Sequence, residues 1–143
     1  MKKFILFCLL NLVYQWCSAE PIEISLNATK NLAGLGDQLL TLDPSQAYQF
    51  TCELMPKQIP PAGTIFLDIT VCDINQLHHC AYAYAEGHAS LKQPITTFKF
   101  SPQQQYIGNQ SNFLVMMQYV PLNDSQQAVA RYQLSCKYMV AAK

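Results

Sequence analysis

The sequence predicts an all-β protein: an antiparallel β-sandwich, jelly-roll or Ig-like (immunoglobulin-like), of about 7–8 strands and stapled by disulfides. Three observations point there. Apolar and polar residues alternate with period two through most of the chain, turn signals cut that alternation into short segments, and an even number of cysteines remains after a leader is set aside.

Taken in order, Ile22, Ile24 and Leu26 alternate with Glu23 and Ser25, the pattern of a half-buried strand. Ala28 to Leu40 is the one stretch that suits a short helix, with Leu32, Leu35 and Leu39 on one stripe, although Gly34 and Gly36 weaken it. After the turn signal Asp43-Pro44-Ser45, Tyr48, Phe50, Cys52 and Leu54 alternate with Gln49, Thr51 and Glu53. Met55 to Gly63, with Pro56, Pro60 and Pro61, reads as a loop because proline cannot continue a ladder. Thr64 to Cys72 is the next strand, with Ile65, Leu67, Ile69 and Val71 on its core side. Cys80 to Ala85 alternates alanine with tyrosine, and Ile95 to Phe100 is a shorter strand ending at Ser101-Pro102. Asn112 to Val120 is apolar in both phases, as a central strand would be; a dimer seam is the other way to read it. Ala130, Tyr132, Leu134, Cys136, Tyr138 and Val140 close the chain on one face.

The compartment is written at the start of the chain. Lys2 and Lys3 form a positive n-region, Phe4 to Val13 is apolar apart from Asn11, and Cys17-Ser18-Ala19 offers small residues for cleavage. Residues 1–19 are therefore expected to be a signal peptide, and residues 20–143 a single β-sandwich domain. The apolar run is shorter than the roughly 20 residues a spanning helix needs, so no stable membrane anchor is expected. The destination is the periplasm or the outside of the cell, and the short Lys-Lys n-region has a bacterial look. In a bacterium the triplets Asn27-Ala-Thr29, Asn109-Gln-Ser111 and Asn123-Asp-Ser125 carry no glycan, and Asn27 and Asn109 fit turns. A eukaryotic secretory route would make the same triplets glycan acceptors.

Composition narrows the function. Of 143 residues, 50% are hydrophobic and 13% charged, with nine basic side chains against nine acidic ones. Losing Lys2 and Lys3 with the leader leaves seven basic groups against nine. That balance argues against a nucleic-acid binder, which calls for a basic surface to neutralise phosphates, and no nucleic-acid partner is expected.

Cys52, Cys72, Cys80 and Cys136 remain after cleavage, and an even number in an exported chain reads as two disulfides with three possible pairings. Strand phase chooses among them. Cys52 and Cys136 both lie on the apolar side of an alternating strand, while Cys72 and Cys80 are separated by the short stretch Asp73 to His79. The expected bonds are Cys52–Cys136 and Cys72–Cys80, worth about 4.5 and about 2.6 kcal/mol on the chain-entropy model. No Cys-x-x-Cys occurs, so neither a redox centre nor a zinc ribbon has its ligand spacing.

The middle of the chain resembles the small bacterial pre-peptidase C-terminal domains, which are β-sandwiches. Tyr48-Gln-Phe-Thr51, a turn-rich gap and Thr64-Ile-Phe-Leu-Asp-Ile-Thr-Val71 carry the resemblance. The family's acidic stretch after the second strand is replaced here by Cys72-Asp-Ile-Asn-Gln-Leu77, so the resemblance implies the architecture alone and no site.

Two groups of residues invite a chemical reading. His78, His79 and His88, with Asp73 and Glu86, form the densest polar cluster, and imidazole with carboxylate is metal-binding chemistry. Adjacent His78 and His79 would project to opposite sides of an extended chain, however, and no His-x-x-x-His spacing occurs; no cofactor is expected. Enzyme motifs are missing as well: no Gly-x-Ser-x-Gly elbow, no phosphate-cradling loop and no zincin signature. The second group comes from phase. If Ile65 to Val71 face the core, then Phe66, Asp68, Thr70 and Cys72 face away, and a Cys72–Cys80 bond carries Cys80, Tyr82 and Tyr84 to the same outer face. Phe66, Tyr82 and Tyr84 then make an outward aromatic cluster, open for binding or else covered by a loop such as Pro56 to Gly63. The chain is accordingly read as a non-enzymatic module that binds another protein, with a small ligand or a glycan as the alternative.

Overall fold

The computed structural model describes residues 21–58, 62–88, 108–123 and 129–140, together with the backbone of 95–100. The expected signal peptide, residues 1–19, lies outside them.

Eight strands form two antiparallel sheets: β1 (Ile22–Thr29), β2 (Gly34–Thr41), β3 (Tyr48–Pro56), β4 (Gly63–Asp73), β5 (Cys80–His88), β6 (Ile95–Phe100), β7 (Gln110–Pro121) and β8 (Val129–Val140). Sheet A has the order β1-β8-β3-β6 and sheet B the order β2-β7-β4-β5. The core is the slab between them. It is filled by the phases expected from alternation: Ile22, Ile24 and Leu26 from β1, Phe50 and Leu54 from β3, Ile65 to Val71 from β4, and Tyr132 and Leu134 from β8. Across the slab the Phe50 ring stacks on Phe113 of β7 with centroids 5.8 Å apart, and on its own sheet it stacks on Tyr138 at 5.4 Å.

Both disulfides are present as phase predicted. Cys52 faces Cys136 directly across the β3–β8 ladder with Cα atoms 4.0 Å apart, and both are fully buried. Cys72 faces Cys80 across the β4–β5 ladder with Cα atoms 4.2 Å apart. Between them the chain turns on Asp73, whose Oδ1 accepts the Asn75 N–H at 2.8 Å and whose carbonyl accepts the Gln76 N–H at 3.2 Å.

The expected helix over Ala28–Leu40 is absent. Gly34–Thr41 is instead strand β2, paired with β7, and its side chains run against the usual rule. Gly34, Gly36 and Leu40 point inward, while Leu35, Asp37 and Leu39 point outward, Leu35 being 73% exposed. Close approach of β1 is the reason. A Cβ at Gly34 would sit 2.8 Å from the Asn27 carbonyl oxygen, and one at Gly36 would collide with Cγ2 of Ile24. The leucine spacing that imitates a helical stripe is thus the outer phase of a strand whose inner phase had to be glycine.

Two further expectations are refined. β7 is central within its sheet, between β2 and β4, but only Phe113, Val115, Met117 and Tyr119 face the opposite layer. Its second apolar phase is on the outside, with Leu114 at 38% and Val120 at 52% exposure, because a two-layer sandwich offers nothing to cover it. Asn27 is an exposed residue in mid-β1 opposite Arg131, not a turn residue.

Two outcomes follow from this packing. Gly36→Ala lowers stability by about 1–3 kcal/mol through overpacking against Ile24, whereas Leu35→Ala changes it by less than about 0.5 kcal/mol; urea midpoints of the two variants read the difference. Burial, with a smaller electrostatic contribution from Tyr119, raises the Tyr132 phenol from its ordinary value of 10.0 to about 12. The folded state therefore holds a proton that the unfolded chain releases earlier, so stability falls as pH rises from about 10 to about 12. Tyr132→Phe removes that part of the alkaline slope in a pH series of unfolding curves.

Candidate functional site

The outer face of sheet B is built by register. Residues directly opposite one another on paired strands share a face, so the pairings β2–β7, β7–β4 and β4–β5 place side chains in rows across the sheet. One row reads Leu35, Met116, Asp68, Tyr84; the next reads Asp37, Leu114, Thr70, Tyr82. These eight residues, with Gly36, Ile69, Ala83 and Val115, line a groove of about 770 Å³. Leucine and methionine fill its β2–β7 half and tyrosines its β5 rim, with Asp37 and Asp68 as the charged groups.

The predicted aromatic cluster is placed as follows. Tyr82 and Tyr84 are 73% and 60% exposed, and no described segment covers them. Phe66 shares their face but is half-buried and lies in the next row, opposite Glu86, outside the groove lining. Ala81, Ala83 and Ala85 take the inner phase, where Ala81 is buried and the other two pack against the core. Small inner residues under large outer ones repeat on β5 the inversion of β2.

Charge gathers around Tyr84. Its hydroxyl donates to Glu86 Oε2 at 3.5 Å, and Asp68 stands directly opposite it on β4. The phenol is raised above its ordinary value, first by partial desolvation against its neighbours, then by the negative charges of Glu86 and Asp68 and by that hydrogen bond.

The histidines are spread out. His78 and His79 sit in the β4–β5 turn beside Cys80, while His88 ends β5 opposite Thr64, at the far end of the strand. Eight residues of extended chain put roughly 27 Å between those ends. Among the described residues no group of three or more His, Cys, Asp or Glu could hold a metal ion.

The aliphatic half of the groove, Leu35, Leu114 and Met116, goes unread in the sequence. Its signals are there: a Gly-x-Gly strand with leucine between and beyond the glycines, and the second apolar phase of β7.

Fold and site together define a disulfide-stapled, two-sheet antiparallel sandwich with an apolar, acid-flanked groove on one outer face. No family model, no curated protein and no solved structure matches the chain. The resemblance to pre-peptidase C-terminal domains thus rests on Tyr48–Thr51 and Thr64–Val71 alone.

Because the groove tyrosines stand outside the core, Tyr82→Ser and Tyr84→Ser each lower Tm by less than about 5 °C. Tyr132→Ser, cut into the core, costs more than about 10 °C by the same scale. Thermal melts of the three variants check the contrast; equal losses would show that the rings belong to the packed interior.

Proposed function

We propose that the protein is an exported, non-enzymatic binding module that holds a partner protein on the outer face of sheet B, in the periplasm or outside the cell. Lys2-Lys3, the apolar Phe4–Val13 run and Cys17-Ser18-Ala19 support export, and two disulfides suit an oxidising compartment. Among the described residues no helix is long and apolar enough to cross a membrane.

The observation that carries the reading is the inversion of side-chain size across sheet B. An antiparallel sandwich ordinarily keeps both outer faces polar. Sheet A keeps to that rule over most of β1 and β8, presenting Glu23, Ser25, Gln133, Arg131 and Lys137, with Met55 and Met139 as exposed apolar side chains toward the strand ends. Sheet B breaks it on three strands, β2, β7 and β5, and the rows of its ladder gather the exposed apolar side chains on one face, with Asp68 and Thr70 of β4 between the β7 and β5 members. Apolar and aromatic side chains gathered on a surface are what protein recognition sites use.

A second reading is favoured by the groove's size: about 770 Å³ is that of a small-ligand site, and tyrosine faces stack on sugar rings. One experiment separates the two. The tagged mature protein is crosslinked in its native envelope beside the double variant Leu35→Ser, Tyr82→Ser, and the same pair is applied to a carbohydrate array. A single companion recovered by wild type and lost by the variant supports the protein-binding reading. Sugar binding lost by the variant, with no companion, moves the assignment to a glycan module.

A further inference from the structure

The chemistry of the partner is written in the charge of the groove. The four strands of sheet B contain no lysine or arginine at all. On their outer face they present Asp37, Asp68 and Glu86. The strands of sheet A, by contrast, hold Arg131, Lys137 and Lys99. One face of the sandwich is therefore both its apolar side and its acidic side. Asp68 lies directly opposite Tyr84 in the ladder, Tyr84 donates to Glu86, and Leu35 and Met116 complete the row on the other side of Asp68.

We propose that the groove receives an extended segment of a partner protein in which a lysine or arginine lies between apolar residues, the cation seated against Asp68 and Tyr84 and the apolar side chains over Leu35, Leu114 and Met116. This rests on the binding-face reading above and deepens it. Carboxylate and tyrosine ring attract the same cation, one by charge and the other through its π face. Dimensions select the extended form. The groove crosses three strand spacings, about 14 Å, and is two rows wide, about 7 Å, which matches four or five extended residues. Charge selects against the rival occupants. A second copy docked face to face would set carboxylate against carboxylate, and an anionic lipid surface would be repelled. The Tyr84 phenol is raised first by partial desolvation and then by the charges of Glu86 and Asp68 beside it.

The test uses the full, disulfide-intact chain and three capped peptides, Leu-Ser-Arg-Ser-Leu and its counterparts with Gln or Glu at the centre. Ring signals of Tyr82 and Tyr84 and the Met116 methyl are followed by NMR during titration. The Arg peptide is expected to move all three, to weaken about fivefold in Asp68→Asn, and to weaken as salt is raised. Glu86→Gln, at an exposed position, is expected to act in the same direction and covers the case in which Asp68→Asn disturbs the strand. If the Gln or Glu peptide moves the signals at equal concentration, the cation assignment is overturned while the binding face stands. If no peptide moves them, both fall. If they move with protein concentration alone, the occupant is a second copy and the proposal is wrong.

Discussion

Successive side chains on a strand leave on opposite sides, and two stacked sheets provide only one dry space between them. Every strand here must therefore commit one phase to the slab and the other to the surface. That constraint orders the rest of the molecule. It puts Cys52 and Cys136 inside and opposite one another, so that their bond lies within the packed layer, and it puts Cys72 and Cys80 in one outer row where they close a turn. It also means that a strand with two apolar phases cannot hide both, and the groove is the direct result.

The same constraint decides what could be read in advance. For β1, β3, β4 and β8 most of the large apolar residues fall on the inner phase, Phe66 of β4 and Met139 of β8 being exceptions, and alternation locates strand, face and the Cys52–Cys136 pair. The aromatic rim was legible by a longer chain of inference: the phase of Ile65 to Val71 fixed Cys72, the bond fixed Cys80, and Cys80 fixed Tyr82 and Tyr84. β2 was illegible for a physical reason. Its first two inner positions, Gly34 and Gly36, carry no hydrophobic signal, and what demands glycine there is the backbone of β1 and Ile24, a tertiary neighbour. With the inner phase silent, Leu32, Leu35 and Leu39 match a helical stripe by coincidence.

The floor of the groove was lost with β2. Leu114 and Met116 were visible as a second apolar phase of β7, and central position in a sheet was a sufficient account of it. Central position in a sheet is a matter of hydrogen-bonded neighbours, however, and says nothing about what lies above the sheet. Only the register of β2 against β7 and of β4 against β5 joins Leu35, Met116, Asp68 and Tyr84 into one row. Rows are products of topology, since of β2, β7, β4 and β5 only β4 and β5 are consecutive in the chain.

The strand order also bears on how the chain can acquire its shape. Among the described residues β1 pairs as a strand with β8, apart from the Thr29–Leu32 bridge at its end, and β2 with β7, so the two earliest strands find their ladders among the last two. Sequence-distant pairing of this kind closes long loops before any contact rewards it and places such sandwiches among slow folders. During synthesis or transit from the amino end, Ile22 to Thr41 must wait, with unpaired backbone and uncovered leucines, until nearly all of the polypeptide has arrived.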